Sequence, residues 1–570
     1  MKIFYLLLTP LLLLADAQAN AEFFGVWTLL PPVIAIVLAF ITKDVVLSLF
    51  IGALSGTFML GLIENNIYHA IIASFTGFIS KVVNSMASSG NAGILLQVLT
   101  IGGVVALITK TGGTKAVALW LSTKAKQAKS SQFATWCMGI FIFFDDYANS
   151  LIVGPIMRPV TDKFKVSREK LAFIMDATAA PITGLAIIST WIGLEISLIR
   201  SGYDLIDDAT FAHLGIVKEE INAFEIFVQT LPYRFYNLFM LIFVLLTIYT
   251  GREFGPMLKA ELRARAGKFS HGHEQIDNVE DKVLEPKEHI KLQASNAIIP
   301  LAVLIIFSFI GFYFSGYNAL EDANIKMQID AAPFSLFAFR ETFGAADASI
   351  VLFQAALLAT IVAIILGMYR KIFTLKEAIA TWTHGWRTMI MTVIILLCAW
   401  SLASVIKDLG TSKYLIDLFS DKTPIYLLPT AIFIFASIIS FSTGTSYGTM
   451  GILMPLAIPL AMAVGVHNDL NGIELHQYMI INISGVLTGA IFGDHCSPIS
   501  DTTILSSMGS KCDLLAHVST QMPYALSVCA ISILCGYLPV ALGLNVWLGL
   551  VFGIIAMIAL LFVVGKKVDA

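Results

Sequence analysis

Long apolar segments, recurring from one end of the chain to the other, constrain this sequence more than any other feature. They fall at about 27–42, 44–62, 93–109, 132–157, 171–199, 222–250, 293–317, 349–369, 388–406, 424–466, 478–498, 522–541 and 546–565. A helix needs about 20 apolar residues to cross the hydrocarbon core of a bilayer, and only helices or closed barrels satisfy their backbone there. Of 570 residues, 57% are hydrophobic and only 13% charged, whereas soluble domains carry about 25% charged residues. The chain therefore reads as an all-α polytopic membrane protein, with about 11 spans and two re-entrant hairpins expected from the segments. A net charge of −3 offers nucleic acid no foothold. Six cysteines without CxxC or CxxH spacing support neither a disulfide framework nor a zinc site.

Residues 1–19 carry Lys2, an apolar core over 3–14 and the small-residue run Ala15-Asp-Ala17-Gln-Ala19, which resembles a cleavable signal peptide. The alternative is an uncleaved first helix, for which twelve apolar residues are short. Lys and Arg in short loops mark the cytoplasmic side. The 110–130 loop holds Lys110, Lys115, Lys124, Lys126 and Lys129, and the 158–170 loop holds Arg158, Lys163, Lys165, Arg168 and Lys170. Both are expected inside, so the segment between them must enter and leave on one side. A hairpin bent at Asp145-Asp146 does this, and such irregular backbone is tolerated only where it lines a protein-walled cavity. The acidic 201–221 loop is expected outside. The basic segment 251–292 reads as a cytoplasmic linker, and its His271 and His273 as solvated loop residues rather than metal ligands.

The linker divides the chain into transmembrane repeats at 22–250 and 293–541, followed by a terminal helix at 546–565. Lys110-Thr-Gly-Gly-Thr-Lys115 recurs as Lys407-Asp-Leu-Gly-Thr-Ser-Lys413. Tyr147 and Pro155 align with Tyr447 and Pro455 at an offset of 300. Asp176-Ala-Thr-Ala-Ala-Pro-Ile-Thr183 recurs, one residue shorter, as Asp494-His-Cys-Ser-Pro-Ile-Ser500. The second hairpin lacks the basic flanks of the first, and five crossings counted ahead of the linker make the second repeat inverted. Inverted repeats with broken helices meeting near the midplane are the architecture of secondary transporters.

Ionised carboxylates at membrane depth cost roughly 2.5–3.5 kcal/mol each, so Asp145 and Asp146, with Asn149, must face protein, water or an ion. Four groups converge if the repeats pack about a pseudo-two-fold axis. They are the first tip (Asp145, Asp146, Asn149), the second tip (Thr443, Thr445, Ser446), and the breaks at Asp176, Thr178, Thr183 and at Asp494, Ser497, Asp501. Carboxylate, hydroxyl and carbonyl oxygens suit sodium, lithium or protons rather than transition metals. Adjacent carboxylates also repel, so the pair favours a proton when no cation is present, and that competition suffices for antiport. Against this stand plainer roles: helix capping by one of Asp145 and Asp146, structural pairing of Asp176 and Asp494, and packing by the hydroxyls and His495. Glu195 and Arg200 read as rim residues.

At Phe144-Asp-Asp-Tyr-Ala-Asn149, Ser442-Thr-Gly-Thr-Ser-Tyr-Gly448 and Gly493-Asp-His-Cys-Ser-Pro-Ile-Ser-Asp-Thr502 the sequence resembles the NhaC-type sodium/proton antiporter family of the ion-transporter superfamily. The likeness runs from about 90 to 540 and includes Arg158-Pro-Val-Thr-Asp162 and Arg252-Glu-Phe-Gly-Pro-Met257. It implies coupled transport across a bacterial plasma membrane, for which no cofactor is expected, while the count of crossings and Gly565-Lys-Lys567 put the C-terminus inside. It also implies cation-site roles for Asp145, Asp146, Asn149, Asp176, Asp494 and Asp501. Substrate stays open between sodium/proton exchange and coupled transport of a small organic carboxylate or amino acid, since relatives of both kinds exist. A homodimer is compatible with the sequence. No HExxH, GxSxG or phosphate-binding loop points to an enzyme.

Overall fold

The computed structural model describes residues 19–568 apart from 43, 65–66, 215–220, 269–285, 287–289, 412–413 and 415–423. The first 18 residues of the signal-like segment, and His271 and His273, lie outside the described residues. Helices dominate throughout, and the one described sheet pairs Arg252–Glu253 antiparallel with Lys566–Lys567. Among the described residues, 11 helices are long and apolar enough to cross a membrane.

The number of spans matches the sequence expectation, but their membership differs. Ile67–Ala87 is a further helix of span length. His69, Ser74, Thr76, Lys81 and Asn84 dilute its apolar pattern, which hid it from a reading by apolar runs. Lys81 is accommodated by an ion pair with Asp408 at 2.5 Å. With this helix present, the count of five crossings before the linker no longer holds, and that argument for inversion falls with it. Conversely, 171–199 and 222–250 are not single straight helices. The first breaks after Ala177 and resumes at Ile192, and the second bends by 44° between Tyr233 and Phe235.

Both halves contain the expected hairpin followed by a broken helix. The first hairpin joins Ala128–Phe141 to Asp146–Lys163; its broken helix comprises Arg168–Ala177, Ala180–Thr183 and Ile192–Asp204. The second hairpin joins Leu428–Thr443 to Ser446–His467; its broken helix comprises Gly472–Cys496 and Asp501–Ser510. Tight packing between Leu428–Thr443 and Gly472–Cys496 sets the frame. Gly485, Gly489 and Gly493 recur every four residues on one face, and a Cβ on Gly489 would meet the Phe433 carbonyl at 2.4 Å. Small residues at that spacing let helices approach where lipid supplies no hydrophobic drive between them. Gly444 turns the second tip with φ +68°, and a Cβ there would come within 2.8 Å of the Ile499 carbonyl oxygen.

The stretch expected to be a solvated linker begins as packed structure. Gly255–Arg265 is a helix with Met257, Ala260, Glu261 and Ala264 buried. Glu253 pairs with the buried Lys170 at 2.8 Å.

Candidate functional site: a carboxylate cavity between the two halves

The two hairpin tips and the second helix break meet around a cavity of about 50 Å³ lined by Asp146, Tyr147, Trp191, Gly444, Thr445, Ser446, Tyr447, Asp494, Ser500, Asp501 and Thr502. Local chain geometry puts the carboxylates there. Asp146 opens its helix, Asp501 opens another, and Ser446 opens a third behind the cap residue Thr445. The exposed amides and positive ends of these helices stabilise the ionised form of a carboxylate placed beside them. Asp145, Asp146 and Asp494 are 3, 4 and 6% exposed, whereas Tyr147 is 41% exposed, so the cavity opens past the tyrosine.

Every wall contributes a fixed contact. Trp191 Nε1 donates to Asp146 Oδ1 at 3.2 Å, Ser446 Oγ to Asp494 Oδ2 at 2.6 Å, and Tyr147 OH to Asp501 Oδ2 at 3.1 Å. The Thr190 amide donates to the Phe144 carbonyl at 3.1 Å and ties the first tip to the first break. Trp191 and Tyr447 meet edge to face at 5.0 Å, closing one side with aromatic surface. None of the lining residues is Lys, Arg or His. Carboxylates from both halves thus face a small cavity with no basic side chain on its wall.

The structure separates the residues singled out from the sequence. Asp146, Asp494, Asp501, Thr445 and Ser446 line the cavity, and Asp145 is buried at the tip beside it. Asn149 lies one turn deeper, where its Nδ2 donates to the carbonyls of Gly139 at 2.8 Å and Thr178 at 2.6 Å, splinting the hairpin to the break. Thr178, Thr183 and Thr443 turn their hydroxyls back onto carbonyls of their own helices, and Ser497 donates to Phe441 O at 2.8 Å. Thr178 packs directly on Gly139, where no Cβ would fit. Asp176 stands apart from the cavity, accepting from His517 Nε2 at 3.1 Å and Gln521 Nε2 at 2.9 Å.

Two further groups escaped the sequence reading. Tyr147, Trp191, Tyr447 and Ser500 line the cavity; the sequence marked Tyr147, Tyr447 and Ser500 only as matching repeat positions and gave no sign of Trp191. Glu195, expected at the rim, is fully buried and pairs with the equally buried Arg234 at 2.8 Å. Arg234 also donates to the Gly184 carbonyl in the first break and lies 4.8 Å from the Phe227 ring. The pair neutralises itself, so the carboxylate of Glu195 needs no lipid–water boundary.

With this geometry in hand, likeness to known proteins is informative. Residues 188–540, more than half of the chain, match the model of the Na+/H+ antiporter family. An uncharacterized Haemophilus influenzae protein is 32% identical over 547 residues, 95% of this chain and 96% of its own. The malate-2H+/Na+-lactate antiporter of Bacillus subtilis is 39% identical over 99 residues, 17% of this chain and 18% of its own. Among solved structures, the Alcanivorax borkumensis YdaH transporter superposes with a TM-score of 0.48 at 12% identity, over 85% of this chain and 90% of that one. This chain is a multi-pass secondary transporter and belongs to the Na+/H+ antiporter family.

Proposed function

We propose that the protein exchanges sodium or lithium for protons by alternating access, in a bacterial inner membrane with its C-terminus in the cytoplasm. The cation is held by Asp146 and Asp494, with Asp145, Asp501 and Ser446 completing an oxygen-only surround. One observation carries this reading: carboxylates from both halves converge on a cavity whose wall holds no basic side chain. Buried negative charge of that density needs a counter-charge, which either a hard cation or protons supply. The two are therefore alternatives at the same carboxylates, and their competition couples opposite fluxes. Because each half supplies ligands, rocking one hairpin against the other opens the site to one side at a time, and an inverted relation of the halves gives that motion its symmetry.

A second reading has its own support. Three helix N-termini border the cavity, and positive helix ends suit the carboxylate of an organic solute. The matching segment of the malate–lactate exchanger points the same way. Against it, Asp146 and Asp501 already occupy two of those helix ends. A cavity of about 50 Å³ is also well below the roughly 300–1,000 Å³ of organic-ligand pockets. Thermal stabilisation of purified protein by sodium, lithium and potassium salts, against organic acids and amino acids with potassium as counter-ion, separates the readings. Stabilisation by sodium or lithium alone is expected. A shift that needs an organic acid would transfer the assignment to the solute.

A further inference from the structure

Behind the cavity, on the far side of Gly472–Cys496, lies a second polar cluster that the cation site does not use. Asp176, His517, Gln521, His495 and Tyr236 are each 0% exposed. They come from four separate elements: Arg168–Ala177, Leu514–Ile531, Gly472–Cys496 and Phe235–Thr250. His517 Nε2 and Gln521 Nε2 both donate to Asp176 Oδ2, at 3.1 and 2.9 Å. Gln521 also donates to the His495 carbonyl, one of those freed where the helix breaks. Tyr236 OH lies 2.6 Å from His495 Nδ1. Among the described residues, Asp176 Oδ1, His517 Nδ1, Gln521 Oε1 and His495 Nε2 find no hydrogen-bond partner. Unsatisfied buried polar atoms cost about 1–3 kcal/mol each, so four on one cluster call for a function.

We propose that the Asp176–His517 pair is a second proton-binding site, separate from the cavity carboxylates, and that it gives up a further proton when a cation binds at Asp146 and Asp494. The inference rests on the antiport reading above. With His517 neutral and its Nε2–H on Asp176, the pair holds one buried negative charge. A proton arriving from water adds to the lone pair of His517 Nδ1 and gives an imidazolium–carboxylate ion pair of zero net charge. The same proton returns to water on release, and no other bond changes. A sodium ion would gain little here, because the four unpartnered atoms are two single oxygens and two imidazole nitrogens.

The titratable groups that interact with the pair are His495, Cys496 and Asp494 on the broken helix and Tyr236 on the neighbouring helix. Lys170, on the Asp176 helix, is engaged by Glu253. Coupling to the cavity runs through space: Asp176 acts electrostatically on Asp494, whose side chain faces the cavity. A cation at Asp494 favours an ionised, unprotonated Asp176–His517 pair, and proton uptake by the pair, which removes its net negative charge, leaves Asp494 less attractive to a cation. Linkage makes these two effects equal in size.

The test is sodium binding by calorimetry between pH 6 and 8.5, in buffers of different ionisation enthalpy, on wild type, His517→Gln and Asp176→Asn. His517→Gln keeps a donor to Asp176 and so protects the packing. Both variants are expected to bind sodium at pH 8.5 as the wild type does, while releasing about one proton fewer per sodium. Wild-type proton release from either variant overturns the inference, as does loss of sodium binding at every pH in folded Asp176→Asn, which would place Asp176 in the cation site. If His517→Gln fails to fold, Asp176→Asn decides alone. Absence of sodium binding by the wild type would instead overturn the antiport reading on which the inference rests.

Discussion

Tyr147 and Asp501, 354 positions apart in the chain, share a hydrogen bond of 3.1 Å at the mouth of the carboxylate cavity. The contact joins the first hairpin to the second broken helix, so it reports directly on how the halves meet. Tyr147→Phe removes the hydroxyl and keeps the ring. A hydrogen bond to a charged group is worth about 1.5–3 kcal/mol, so sodium affinity should change by roughly 10-fold or more while the protein stays folded. Sodium dependence of proton flux in proteoliposomes measures this.

The Glu195–Arg234 pair is the second structural commitment, since both side chains are 0% exposed. Breaking a buried pair strands a charge and costs about 3–5 kcal/mol, so Glu195→Gln alone and Arg234→Met alone should each lower the thermal midpoint sharply. The double variant should recover part of the loss, because no unpaired charge remains. Thermal unfolding of all four proteins in one detergent checks the pattern. Equal, additive losses would show that the pair is not a unit.

In the packed helix Gly255–Arg265, Glu261 predicts a pH dependence of stability. Burial first, then the neighbouring Glu253 carboxylate, pushes the Glu261 carboxyl above its ordinary value, only partly offset by Arg265 and Ser167. A carboxyl raised in the folded state binds its proton more tightly there than in the unfolded chain. Stability is then lost as pH rises from the unfolded value toward the folded one. Glu261→Gln keeps the oxygen that accepts from the Ser167 amide at 2.7 Å and removes the titration. Thermal midpoints from pH 4.5 upward should fall less steeply in the variant than in the wild type.

Close helix contact makes a further prediction. A Cβ at Gly489 would sit 2.4 Å from the Phe433 carbonyl and 2.7 Å from Ala436 Cβ. Backbone cannot yield as a flexible side chain does, so Gly489→Ala should destabilise by about 1–3 kcal/mol through overpacking. Gly472→Ala, where nothing lies within 4 Å but φ is +48°, tests backbone strain without crowding. The crowded site should lose more in thermal unfolding.

Charged and amide side chains in apolar runs were the most legible signal. They located the first tip and both breaks, because burying such groups in a membrane is too costly without a reason, and the repeat offset of 300 located the second tip. The same signal was present at Lys170, His517 and Gln521, which sit singly near segment ends where snorkelling explains them equally well, and at Arg234, which stands alone in the middle of the 222–250 run. Only three-dimensional packing shows that Asp176 belongs with His517 and Gln521 rather than with Asp494. The helix Ile67–Ala87 was hidden for the opposite reason: its polar residues weaken the apolar run without marking a site. Hydroxyls were illegible altogether, since Thr183 and Ser446 look alike in sequence and differ only in what lies opposite.

Proton flux in proteoliposomes bearing a pH gradient, with sodium added to wild type, Asp146→Asn and Asp494→Asn, tests the central claim most directly. Sodium should dissipate the gradient in the wild type, and neither folded variant should respond. A variant that still exchanges sodium for protons at the wild-type rate would remove its aspartate from the cation site and contradict the account.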